Sequence, residues 1–496
     1  MATVGVTYAE GQTRRRLEVR DERRAVLMSR RFQRSLMIQV LLCAIPVGGL
    51  LAVGMARLAG LAYWGLFTLL WLRLAILGRH RELMALLIAL IPFTNLLRSF
   101  APFFTIIVVL LSVAAGYYNM LSPGTIWQVL QRYRMVMWMF VFVIVYYIWS
   151  LLLTGKYEVT IRIFELAFSV LLILILGRSR EMLGPAIAGV LISACIVGLA
   201  MLPHIGTVAG ERLGEMVVQG YALGNPVQLG IPLALSFLAL IVDRGKWLNL
   251  EHHLLTRVLL LIPTVTLLAL TTSRASWLVA IGGLVATLLL SHRSRVRMLV
   301  IIGFGALAIQ LVLMSPFGGG LQRGIERTFG EDRTAGNRTS GRSDQWIVSY
   351  YAFTESVGRM IYGFGPGMGQ DVYASYSRRI PTVEFKVGSR MALHSLYMQV
   401  GVEAGLIGLV PLLAWLLMGL YRTIRWGLIY GMQFPLVCFL GFIIVAATTS
   451  GFDTVSGSLL GVGLLATSRR SFSGDLTQVT EPGTPFDHRT SVGLAR

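Results

Sequence analysis

Side chains that could do chemistry are scarce in this chain, and topology sorts them. Of seven histidines, the alternation of apolar runs assigns His80, His252, His253, His292 and His488 to the cytoplasmic side of a membrane and leaves His204 and His394 outside. His394 falls where a long basic loop re-enters the membrane, at the predicted start of a helix. There the positive end of the helix dipole and the nearby arginines favour the neutral imidazole, which can take a proton from an attacking hydroxyl. The plainer alternative is an interfacial histidine bonded to water. Within HSLYMQVGVEAGLIGL, which begins at His394, Gly401, Gly405 and Gly408 predict close packing of the small-xxx-small kind. A tightly packed helix would then hold the histidine.

Arginine suits a diphosphate, because its planar fork donates paired hydrogen bonds and stays charged. Arg274, after Ser273 in TTSRASWL, falls at an outer boundary between two spans, where snorkelling to headgroups is the alternative role. Arg342, in SGRSDQW with Trp346 one helical turn on, lies in the long loop, where a solvated basic face is the alternative. Arg212, in the outer loop 204–225, is a third candidate. No outer DxD or ExD pair is available for a divalent metal, and Glu331–Asp332 has no third ligand in view. The expectation is therefore no metal and no cofactor. The run GFGPGMGQ at 363–370 superficially resembles a nucleotide loop, yet it lacks GxGxxG spacing, contains Pro366 and reads as a glycine-rich turn. No GxSxG elbow occurs.

The elements that must carry these residues are membrane helices. The chain has 496 residues, 55% hydrophobic and 14% charged, where a soluble domain carries about a quarter charged. Apolar runs of about twenty residues recur, each long enough to cross a bilayer. The fold class predicted is an all-α integral membrane protein with about fourteen spans (twelve at the fewest) and one long extracytoplasmic loop. Their ranges are 35–56, 58–77, 83–97, 100–119, 135–154, 160–177, 183–203, 226–242, 255–271, 275–291, 297–314, 395–420, 433–450 and 454–467. Between 83 and 119, Pro92, Arg98 and Pro102 leave two spans or one span and a re-entrant segment open.

The organisation is a basic cytoplasmic N-terminus (1–34), eleven spans (35–314), the outer loop (315–393), three more spans (394–467) and a Ser/Thr/Gly/Pro-rich cytoplasmic tail (468–496). No cleavable signal peptide is expected. Loops placed inside hold basic pairs such as Arg79/Arg81, Arg178/Arg180 and Arg422/Arg425, as the positive-inside rule requires. That distribution argues against nucleic acid as the reason for the net charge of +20. The long loop is basic and extracytoplasmic, which its length permits, and residues 343–362 predict an amphipathic helix at the membrane surface. Cys43, Cys195 and Cys438 lie inside apolar runs and form no CxxC pair.

Four motifs in order carry a resemblance: TTSRASWL at 271–278, SGRSDQW at 340–346, GFGPGMG at 363–369, and His394–Ser395 followed after nine residues by Gly405 and then Gly408. The chain resembles the O-antigen ligase and polymerase superfamily, membrane glycosyltransferases that use undecaprenyl-diphosphate-linked glycans as donors. The resemblance implies a GT-C-like fold in which Arg274 and Arg342 bind the donor diphosphate and His394 activates an acceptor hydroxyl. It also implies inversion at the sugar carbon without metal or ATP. Many relatives have asparagine after the proline of GNPVQLG (224–230); here Val227 and Gln228 follow, so Asn225 or Gln228 would supply that amide.

The partners implied are the lipid-linked glycan donor, a glycan or lipid-core acceptor and membrane lipids. Ligase, polymerase and protein O-glycosyltransferase stay open. A transporter or lipid-glycan flippase is the rival class. Such proteins place ionisable residues at mid-membrane, whereas here only Arg73, Arg162 and Glu165 come near, mostly at span ends.

Overall fold

A computed structural model of the protein describes residues 32–77, 79–90, 92–93, 180–205, 212–213, 217–218, 221–222, 226–250, 252–290, 341–449 and 454–465, with isolated positions between 127 and 174 and at 303 and 310. The spans predicted at 100–119, 135–154, 160–177 and 297–314 lie outside these residues except for such isolated positions. So do residues 315–340 of the loop, Glu331–Asp332 among them, almost all of the N-terminal segment and the whole tail.

Thirteen helices are described, α1 (Phe32–Ala52), α2 (Ala56–Ile76), α3 (His80–Ala89), α4 (Arg180–Met201), α5 (Pro226–Ile241), α6 (Leu254–Leu270), α7 (Arg274–Leu290), α8 (Arg342–Thr354), α9 (Val357–Tyr362), α10 (Gly369–Tyr376), α11 (Leu396–Tyr430), α12 (Phe434–Thr448) and α13 (Thr454–Leu464). Among the described residues, two 3-10 helices (Leu202–His204 and Val242–Leu248) and a two-residue antiparallel ladder, β1 (Val217–Val218) with β2 (Tyr221–Ala222), depart from α-helix. Among the described residues three helices are long and apolar enough to cross a membrane, Phe32–Ala52, Leu183–His204 and Leu396–Ile429. The apolar helices α5, α6, α7 and α12 are shorter.

The ranges predicted at 58–77, 183–203, 226–242, 255–271, 275–291, 433–450 and 454–467 are each a helix, shifted by no more than three residues at either end. Two expectations need correction. Arg422 and Arg425 lie within α11 rather than in a loop, because that helix runs on to Tyr430 and ends at Gly431. The helix expected over 343–362 is two, α8 and α9, because Ser356 caps α9 by accepting from the Arg359 N–H at 3.2 Å.

Small residues let α4, α5, α7, α12 and α13 approach closely. A Cβ on Gly283 of α7 would press on Leu238 of α5 and Val437 of α12. One on Gly463 of α13 would reach the backbone of Phe439. The C-terminal end of α5 is locked by Asp243, whose carboxylate accepts the N–H groups of Gln433 and Phe434 at 2.8–3.0 Å, filling two free donors at the start of α12. Residues 341–404 pack around a second, smaller apolar core of Val348, Ala352, Val372, Tyr373, Tyr376, Val383, Leu393 and Val402.

Candidate active site

The turn from α6 to α7 is TTSR. Thr271 Oγ1 donates to the Leu268 carbonyl at 2.7 Å and accepts the Ser273 N–H at 3.3 Å. Ser273 then caps α7, accepting the Ser276 N–H at 3.4 Å with the two hydroxyls 2.9 Å apart. Trp277 ties the turn down from within α7, its indole N–H reaching Leu268 O at 3.0 Å. Arg274 is thereby fixed as the first residue of α7.

Two further segments meet this turn. Gly230 of α5 lies so close that a Cβ there would overlap the Ser276 hydroxyl. The Leu213 N–H donates to Leu270 O at 3.0 Å, which brings Arg212 next to the end of α6. Gln228 is half-buried in the first turn of α5, two residues ahead of Gly230, while Asn225 lies outside the described residues. The need for a glycine at 230 is invisible as a motif, since only the close approach of α7 demands it.

Arg342 is the first residue of α8. Buried Asp344 accepts the N–H groups of Glu384 and Phe385 at 3.0 and 2.9 Å, and the Phe385 ring occupies the space a Cβ on Gly341 would need. The start of α8 is therefore pinned by a segment about forty residues downstream. Burial and, after it, the charge of Arg274 push the Arg342 guanidinium below its usual range. An arginine keeps its charge nonetheless, so the two motifs carry like charges that act on each other. Trp346 is 41% exposed, one turn along α8 from Arg342.

His394 is not on the helix. Ser395 is the N-cap of α11, accepting the Met398 N–H at 3.4 Å, and His394 precedes it with φ 43° and an exposed side chain. Its neighbours Leu393 and Ser395 are both buried, so the histidine projects from between two anchored residues. It hangs from the same small core as α8, which carries Arg342. The serine just before the apolar run was the sequence signal for this cap.

The glycine stripe also differs from expectation. Helix α11 breaks at Gly405, whose φ of 60° and ψ of −157° are not helical. In a regular helix the carbonyls of Val402 and Glu403 would accept from Leu406 and Ile407. Here they accept from Phe364 and Gly365 at 2.8 and 3.0 Å. The GFGPGMG segment is thus the expected turn, and it docks edge-on against the break. A Cβ on Gly405 would overlap the Ile361 carbonyl, and one on Gly363 would strike the Glu403 backbone. The Glu403 side chain completes the joint, Oε1 accepting the Gly369 N–H at 3.1 Å and the Gln399 amide at 3.3 Å. By contrast, Gly401 has space for a methyl group, its nearest neighbours lying 3.7 Å away or more. Gly405 is thus a break for backbone pairing, whereas Gly408 is closely packed as expected, a Cβ there overlapping that of Ala404.

Among the described residues no cluster of three or more His, Cys, Asp or Glu could hold a metal ion. Residues 258–413 match the family model described as O-antigen ligase. Among curated proteins none matches the chain. The matched segment takes in both arginine motifs, the glycine turn and His394, whereas Arg212, Asn225 and Gln228 precede it. The family supports an enzymatic role in glycan transfer at a membrane with lipid-linked glycans as substrates. Residues 258–413, about a third of the chain, thus match an O-antigen ligase domain, which supports the resemblance to the O-antigen ligase and polymerase superfamily.

Proposed function

We propose that the protein moves a glycan from an undecaprenyl-diphosphate carrier to an acceptor hydroxyl on the extracytoplasmic face of a bacterial inner membrane. The observation that carries the reading is the arginine pair. Arg274 and Arg342 each open a helix and face each other's charge. A cation at a helix N-terminus opposes the dipole, and the like charge that Arg342 feels from Arg274 adds to the cost. A bound dianion relieves both at once, because helix N-termini and arginines are anion ligands. Arg212, beside the same turn, would add a third positive charge.

In this mechanism the arginines neutralise the diphosphate, so it departs with the electron pair of its bond to the sugar carbon. The acceptor oxygen attacks from the opposite face, giving inversion, while His394 Nδ1 or Nε2 takes its proton. Exposure suits His394 to an acceptor arriving from water. Neither metal nor ATP is needed, since the donor arrives activated. The reading includes about fourteen spans in a GT-C-like arrangement, both termini in the cytoplasm and the 315–393 loop outside. A ligase-type acceptor, a lipid-anchored core, fits the family description; a polymerase would take another lipid-linked glycan.

The test is transfer by purified protein in liposomes with EDTA, using undecaprenyl-diphosphate glycan and each class of acceptor. Transfer should survive EDTA and fall at least a hundredfold, on the order of a lost general base, in folded His394→Ala. Undiminished transfer by that variant would remove the proposed base. Movement of the glycan lipid across the bilayer without transfer would favour the flippase instead.

A further inference from the structure

Two polar side chains beside the arginine pair are buried with nothing to bond. Gln345 is 0% exposed, and neither its amide oxygen nor its amide nitrogen has a hydrogen-bond partner. The Thr272 hydroxyl is also buried and unpartnered, on a residue 8% exposed whose φ of 45° puts a β-branched side chain in the left-handed region. Each accompanies one arginine. Gln345 follows Arg342 by three residues, which places it on the same face of α8. Thr272 precedes Arg274 by two, in the turn that opens α7.

Their polar neighbours are satisfied. Ser349 Oγ donates to Gln345 O at 2.6 Å, Asp344 accepts two backbone N–H groups, and Thr271 and Ser273 bond within the turn. Unpaired buried groups are rare and costly, and a strained left-handed threonine persists only where its surroundings impose it. Two such defects, one beside each arginine, point to a ligand that pairs with them. Arginine only donates; glutamine and threonine both donate and accept. That combination matches the junction of a phosphate and a sugar, which presents acceptor oxygens and hydroxyl donors together.

We infer that Thr272 and Gln345 complete the donor site. The hydroxyl and the amide N–H groups donate to phosphate oxygens, and the amide oxygen accepts from a hydroxyl of the first sugar. This rests on the diphosphate reading of Arg274 and Arg342. It has a consequence that a structural role lacks. A group that holds the fold together destabilises it when made apolar, whereas an orphan kept for a ligand leaves stability unchanged or raises it.

The experiment uses full-length Thr272→Val and Gln345→Met in detergent, with Thr272→Ser as the conservative control and Arg274→Ala alongside. Melting temperature is read without ligand, and binding is read with undecaprenyl-diphosphate sugar. Both apolar variants should melt at or above wild type and bind roughly tenfold or more weakly, the effect of a lost hydrogen bond to a charged group. Thr272→Ser should bind as wild type does. Binding lost in Arg274→Ala but kept in both apolar variants overturns this inference and leaves the diphosphate reading standing. Wild-type binding that Arg274→Ala does not weaken overturns the diphosphate reading itself. A large fall in melting temperature, or failure to fold, assigns the groups to the fold and counts against the proposal. Displacement of the donor by equimolar phosphatidylglycerol would make this an ordinary headgroup site and overturn it too.

Discussion

The helical bundle and the 341–404 subdomain hold together by different means. In the bundle, α5, α7, α12 and α13 meet mainly through glycines that admit apolar side chains or backbone, with Asp243 adding a carboxylate lock between α5 and α12. In the subdomain, exposed backbone is captured by buried carboxylates and by the broken helix: Asp344 holds the Phe385 segment, and Val402 and Glu403 hold the glycine turn. Packing of the first kind is distributed over many weak contacts, so a single change has a graded cost set by the space at that position. Capture of the second kind concentrates on few atoms, and that by Asp344 fixes the start of α8, which carries Arg342. The subdomain is therefore where small substitutions should cost most.

The largest effect is expected at the helix break. Gly405→Ala puts a methyl group into the Ile361 carbonyl at a positive φ, so it should destabilise by about 3 kcal/mol or more and abolish transfer. Gly401→Ala, four residues earlier and uncrowded, should retain both; thermal unfolding in detergent and transfer assays would read the pair. Asp344→Ala comes next. It removes the acceptor of two N–H groups and should cost roughly 2 kcal/mol, with a loss of donor affinity because the start of α8 is freed. Protease sensitivity near Phe385 would report the release.

In the bundle, Gly230→Ala should cost about 1–3 kcal/mol by overpacking against Ser276, and its effect on transfer should exceed its effect on stability because it displaces the Arg274 turn. Gly65→Ala, with nothing within 4 Å of the added carbon, should change neither. Equal losses from these two would break the comparison.

The smallest effect is a pH dependence. Tyr376 donates to the Glu355 carboxylate, and burial, then that bond, push its phenol up to about 12 from 10.0. A phenol whose folded value is raised holds its proton better in the fold, so its contribution is intact below pH 10 and is lost between about 10 and 12. The fall in melting temperature over that window should be shallower in Tyr376→Phe.

Much of this was legible because membrane helices announce themselves by length and apolarity. The boundaries of α5, α6 and α7 and the arginine at the head of α7 follow from where the apolar run stops. The kink at Gly405 was not legible. A glycine in an apolar helical pattern reads as a packing residue, and only the N–H groups of Phe364 and Gly365, remote in sequence, turn it into a break. Asp344 and Gln345 were equally hidden, since polar residues in a basic loop give no sign that the fold will bury them. The place of His394 was legible to within a residue, just ahead of the span predicted from 395, but not its exposure, which follows from the cap at Ser395.

If Arg274 and Arg342 form one anion site, a double-mutant cycle on donor binding will show it. Arg274→Ala, Arg342→Ala and the double variant would be titrated with undecaprenyl-diphosphate sugar in EDTA. Each single change should weaken binding at least tenfold, and the double should weaken it by far less than the product of the two, since a shared ligand couples them. Independent, multiplicative losses would contradict a common site, and unchanged binding in either single variant would remove that arginine from it.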